Sequence, residues 1–141
     1  MNIEKYTSYF HDGDITKISH KGQEIEIYME SAELLPDWNE DNIPLSKGKT
    51  IAGKLHLERI KTIRKDNTPY SDRFKIEPNY DKAGIYDFEI NLNVVTLLIW
   101  WIKHPPNAED SDIFKYEIVA DKIFWENIPT LVNPFWESIA D

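Results

Sequence analysis

The chain has 141 residues, no cysteine and a formal net charge of −9. That is one domain's length, and with 41% hydrophobic residues it can bury a core without disulfides or metal. The missing cysteine excludes thiol catalysis, thiolate zinc sites and disulfide stapling, and the acidic balance argues against nucleic acid, where Lys and Arg must neutralise phosphates.

The elements follow in chain order. Met1-Asn2-Ile3-Glu4-Lys5-Tyr6 has no basic stretch leading into an apolar one, so no secretory signal is expected and the expected location is cytoplasmic. His11-Asp12-Gly13-Asp14 reads as a turn before a first strand at about 14–19. Lys21-Gly22 then makes a tight hairpin into a strand at about 23–33. In that strand Ile25, Ile27 and Met29 share one face; Glu24, Glu26, Tyr28 and Glu30 share the other. Leu35–Pro44 is a polar loop with two prolines and Trp38 among acidic residues. The next strand spans about 51–64, and a parity change after Leu57 suggests a bulge near Arg59. Lys65–Pro69 ends it, and 69–83 is polar and irregular.

Ile85–Ile90 alternates in part and reads as a short strand. Asn91-Leu92-Asn93 turns into the apolar run Val94–Ile102, expected to be a buried central strand and too short to span a bilayer as a helix. His104-Pro105-Pro106 stops it. Glu109–Asp112 is an acidic loop, Phe114–Ile118 alternates, and Ala120-Asp121-Lys122 is expected to turn into Ile123-Phe124-Trp125. Asn133-Pro134 reads as the cap and first position of a short helix at about 134–140. These elements give a mainly β domain over 1–141. The expected form is an antiparallel curled sheet or two-layer β-sandwich of six to seven strands with a short C-terminal helix. An open β-barrel is the alternative.

Charge is unevenly distributed. Residues 1–46 carry a net of −7, 47–75 a net of +6, 76–104 a net of −2 and 105–141 a net of −6. Two readings stand: the basic middle packs beside acidic flanks and pairs with them, or an acidic face is exposed to a basic protein.

Motifs for chemistry are sparse. His11, Asp12 and Asp14 offer hard ligands, but no further acidic residue follows at calcium-loop spacing, and a capped turn accounts for them. His20, His56 and His104 form no zinc motif with His11 or each other, and His56 reads as solvated or cross-strand paired. Gly48-Lys49-Thr50 lacks the first glycine of a phosphate loop. Glu24, Glu26 and Glu30 have the strand spacing of a carboxylate pair, and a solvated acidic face explains them better. No nucleophile elbow, metal set or cofactor motif is present.

Trp100-Trp101 puts two indoles on opposite faces of one strand, one of them toward the core. Candidate binding residues are Trp38 with Asp37, Glu40 and Asp41, Trp101, and the acidic set Glu109, Asp110 and Asp112. A second arrangement, for a small ligand or carbohydrate, would use Trp100 or Trp101 with Tyr86 and Phe88.

Phe10-His11-Asp12-Gly13-x-Ile15-x-x-Ile18, the glutamate-rich strand, and the strand ending Ile99-Trp100 resemble small β-rich bacterial immunity proteins of polymorphic toxin systems. Tyr116-Glu117-Ile118 with Ile123-Phe124-Trp125-Glu126 resembles their closing hairpin. The doubled Trp100-Trp101 and the polar 64–83 stretch have no counterpart. The resemblance implies a cytosolic, non-enzymatic protein that binds and blocks a cognate toxin; the acidic balance makes the expected partner a basic protein, with no nucleic acid, membrane or cofactor expected.

Overall fold

The computed structural model describes residues 1–103 and 111–131. Glu109, Asp110 and the helix expected at 134–140 lie outside the described residues. Among the described residues seven antiparallel strands form one sheet: β1 (Asp14–Lys21), β2 (Glu24–Glu33), β3 (Thr50–Lys65), β4 (Thr68–Pro69), β5 (Lys82–Asn91), β6 (Val94–Ile102) and β7 (Asp112–Asn127). Their order is β2-β1-β5-β6-β7-β3-β4, and β2 also pairs with β3. The sheet therefore closes on itself as a ring of six strands, with β4 as a short addition to β3. The curl expected from the sequence goes to closure, and a separate second layer is replaced by the far wall of the same sheet. Closure removes most free edges.

Alternation decides what fills the ring. Ile25, Ile27 and Met29 of β2 are buried while Glu26 and Glu30 are half-buried and Glu24 is exposed. Leu55, Leu57, Val95, Leu97, Ile99, Trp101, Tyr116, Ile118 and Trp125 complete the inner wall. The closure is bent by irregularities: the register shifts at Ile15/Lys17 in β1, Glu30/Glu33 in β2, Ile60/Thr62 in β3 and Ile85/Asp87 in β5. The bulge expected near Arg59 falls just after it, where the β3–β7 register shifts between Ile60 and Thr62, and Arg59 itself has φ of 55°. The shift in β5 explains why Ile85 and Phe88, three apart, both point inward.

Two differences from the expected elements stand out. Residues Ile3–Phe10 form a 3-10 helix, capped by the Asn2 side chain accepting the Glu4 N–H at 3.1 Å. Its Phe10 meets Phe88 edge-on at 5.2 Å and Trp125 at 5.6 Å, closing one mouth of the ring. The expected turn at Ala120–Lys122 is absent, and with it the closing hairpin: β7 runs unbroken for 16 residues. Glu58 and Ile60 pair with Lys122 and Ala120 through that point, and Asp121 lies 3.3 Å from Arg59 and 3.4 Å from Lys61. What changes there is the neighbour, because β6 ends at the Val94–Val119 pair and the Ala120 N–H goes to the Asn93 carbonyl at 3.0 Å.

The other mouth is covered by residues 70–81. Phe74 is buried and packs edge-on against Tyr116 at 5.0 Å, and Tyr80 lies 6.1 Å from Trp101. Part of the basic middle pairs with acidic residues outside it, as the first of the two charge readings expects: Arg59 and Lys61 reach Asp121 at 3.3 and 3.4 Å, and Lys65 reaches Glu77 at 3.9 Å.

Gly53 shows how tightly β3 and β7 approach. A Cβ there would lie 2.1 Å from the Glu126 carbonyl oxygen and 2.9 Å from the Trp125 ring. Gly53→Ala is expected to cost about 1–3 kcal/mol or more, because backbone must shift. Gly48→Ala, whose nearest neighbour would be 3.9 Å away, should change stability by no more than about 0.5 kcal/mol. Chemical denaturation of both variants checks the difference.

Candidate functional site

The 3-10 helix and the loop after β2 build one surface at the helix-closed mouth. In a 3-10 helix residues three apart eclipse, so Ile3, Tyr6 and Tyr9 line up. Ile3 and Tyr6 are buried; Tyr9, at the edge, is half-buried. The loop is anchored by buried Leu34, whose N–H bonds the Lys49 carbonyl at 2.9 Å, and by buried Ile43. Asn39 ties it internally, its side chain bonding both the N–H (2.9 Å) and the carbonyl (3.0 Å) of Ile43. Between these anchors Pro36–Trp38 makes a 3-10 turn.

Trp38 stacks on Tyr9, ring centroids 5.3 Å apart and planes 15° from parallel, and remains 42% exposed. The Tyr6 hydroxyl donates to Asp41 Oδ2 at 2.5 Å, and the Asp41 N–H donates back to that hydroxyl at 3.2 Å. Lys5 Nζ sits 2.8 Å from Glu40 and 3.4 Å from Asp41. The Tyr6 hydrogen bond, assisted by Lys5, holds the Asp41 carboxyl below its ordinary range. Asp41, with Glu40 through Lys5, is thus a clamp between loop and helix, while Asp37 presents its charge beside an indole of fixed orientation. Leu35, 51% exposed, adds apolar surface.

Of the expected binding residues, Trp38, Asp37, Glu40 and Asp41 are brought together here. Asp112 is not: it begins β7 at the opposite mouth and accepts the Tyr80 hydroxyl. Asp112 therefore does not share a face with Asp37, Glu40 and Asp41. Trp101 is corrected outright. It is fully buried, and its indole N–H donates to the Tyr116 hydroxyl at 3.2 Å, so it cannot contact a partner. Trp100 is the outward indole, 41% exposed and opposite Ile113 on β7. Phe88 is buried under Phe10, so the Trp–Tyr86–Phe88 arrangement does not exist.

Tyr9, Tyr6 and Lys5 were not expected in the site. The Ile3, Tyr6, Tyr9 spacing was the only signal for them. His11 bonds the Tyr86 carbonyl, and Asp14 is buried against Lys82 at 3.2 Å. His56 stacks flat on Phe124 at 4.5 Å and bonds Glu126 at 2.8 Å, the cross-strand pairing expected of it. Among the described residues no three His, Asp or Glu side chains converge as a metal site, and no helix is long and apolar enough to cross a membrane. Compared with family models, curated proteins and solved structures, the chain matches none.

Proposed function

We propose that this chain is a non-enzymatic, cytoplasmic protein-binding module that meets a basic protein through the Tyr9–Trp38 surface, and that it acts as an immunity-type inhibitor occluding a toxin. The observation that carries this reading is Trp38: a large ring, pre-oriented by stacking, left exposed among carboxylates. Rigid aromatic anchors lose little entropy on binding and dominate interface energies. Flanking charge steers a partner of opposite sign. The reading needs neither nucleic acid, membrane nor cofactor.

The purified protein used as bait in a lysate of its source cells should retain one basic protein, eluted by salt. Reversal at Asp37 to Lys should weaken retention, since Asp37 faces solvent and does not tie loop to helix as Glu40 and Asp41 do through Lys5. Unchanged retention at low salt would remove this surface from the account. A second reading, a small-ligand or carbohydrate site on the outer wall, draws on exposed Trp100 beside Ile113. It requires a Trp fluorescence response to a sugar that Trp100→Ala abolishes.

A further inference from the structure

His20 lies near the end of β1, at the mouth covered by residues 70–81. Its ring Nδ1 accepts the Phe74 backbone N–H at 2.9 Å. Its own carbonyl accepts from the Arg73 guanidinium at 2.7 Å. Nδ1 can accept from the Phe74 N–H only when unprotonated, which assigns the neutral imidazole with its proton on Nε2. The imidazolium has two donors and no acceptor, so it cannot keep the Phe74 bond.

Phe74 is the part of the 70–81 segment that enters the ring. It is 1% exposed and rests on Tyr116, whose hydroxyl accepts from Trp101. The ends of the segment are tied independently of His20. The Tyr70 N–H bonds the Ile63 carbonyl at 2.8 Å, and the Asp81 N–H bonds the Ile102 carbonyl at 2.9 Å. Around Phe74 the stretch is held by the packing of its ring on Tyr116, by the Arg73 bond to the His20 carbonyl, by the Tyr70 hydroxyl donating to the Arg73 carbonyl at 3.2 Å, and by the Nδ1 bond, and of these the Nδ1 bond is the one lost when His20 is protonated.

We propose that His20 is a protonation latch: neutral, it holds Phe74 in the mouth; protonated, it releases the stretch and exposes the Tyr116–Trp101 pair. The surroundings favour the neutral ring. Burial, and then the Arg73 charge, lower its pKa from the ordinary histidine value, against the opposing Gly22 hydrogen bond. From β2 the residue opposite is Ile25, and beyond it on β3 stands Leu57, both apolar and buried. Glu24 and Glu26 occupy the other face of β2, opposite Lys21 and Ser19. The closed mouth binds fewer protons than the open one. Closure is therefore complete above the ordinary histidine range and weakens as pH falls through it toward the lowered value. This device is independent of the binding surface at the other mouth.

Hydrogen exchange read by mass spectrometry on the 70–81 peptide, normalised to a β3 peptide for intrinsic rates, tests it at about pH 7.5 and about pH 5.5. Protection of that peptide should fall several-fold at the lower pH in the wild type. His20→Gln retains a side-chain acceptor for the Phe74 N–H but cannot titrate, and should stay protected at both. Equal pH response in wild type and His20→Gln, or none in the wild type, overturns the latch. Should His20→Gln not fold, nitrogen NMR of the wild-type ring decides: an Nε2–H tautomer at about pH 7.5 supports the latch, and an Nδ1–H tautomer or an imidazolium contradicts it.

Discussion

Trp101→Ala is expected to cost about 3–5 kcal/mol of folding free energy. The indole is fully buried, fills the ring between Tyr80 and Tyr116, and donates its N–H to the Tyr116 hydroxyl. Truncation leaves a cavity and deprives a buried hydroxyl of its donor. That hydroxyl is deeply desolvated, and burial pushes the Tyr116 phenol well above its ordinary pKa. Unpaired buried polar groups add to the loss. The neighbouring Trp100→Ala should cost less than about 1 kcal/mol, because its ring stands on the outer wall. Guanidinium unfolding followed by far-ultraviolet circular dichroism measures both. Similar costs would mean that the facing of β6 is wrong.

Phe10→Ala should cost a comparable amount, about 3–5 kcal/mol. Phe10 is fully buried and makes edge-on contacts with Phe88 of β5 and Trp125 of β7. These strands are not neighbours at that point, so the 3-10 helix joins walls that the hydrogen-bond ladder leaves apart. Tyr9→Ala, one residue earlier, should barely change stability but should free the Trp38 ring that stacks on it. Thermal unfolding of the pair separates a structural plug from a positioning residue. A Tyr9→Ala loss as large as that of Phe10→Ala would place Tyr9 in the core instead.

Much of the fold was legible in the sequence, for local reasons. The β1–β2 hairpin was readable because Gly22 supplies positive φ between two alternating runs. The bulge near Arg59 was readable because Leu57 and Ile63 share a parity that Ile60 breaks. The inward choice at Trp100-Trp101 was also encoded: Thr96, the polar residue of the run, shares parity with Trp100. Ring closure was not legible, since β1 and β5 pair through Asp14–Gly84 and Ile15–Ala83 alone. Nor was the continuity of β7, because Ala120-Asp121-Lys122 has a turn's composition. Its charges are there to meet Arg59, Lys61 and Glu58 across the ladder. In the candidate site, Trp38 and its carboxylates stood out in sequence, whereas Tyr9 is placed by a short helix whose periodicity is weak. Trp101 was the misassigned residue: adjacency to Trp100 fixes only that the two indoles face opposite ways, and it is the parity with Thr96 that marks Trp100 as the outward one.

The central claim is that recognition runs through the Tyr9–Trp38 surface. Its most direct measurement is the calorimetric affinity of the basic protein captured from the source cells, titrated against the wild type, Trp38→Ala and Trp100→Ala. The account predicts a loss of about tenfold or more for Trp38→Ala and none for Trp100→Ala. Undiminished affinity for Trp38→Ala, with the loss at Trp100→Ala, would contradict it and move recognition to the outer wall.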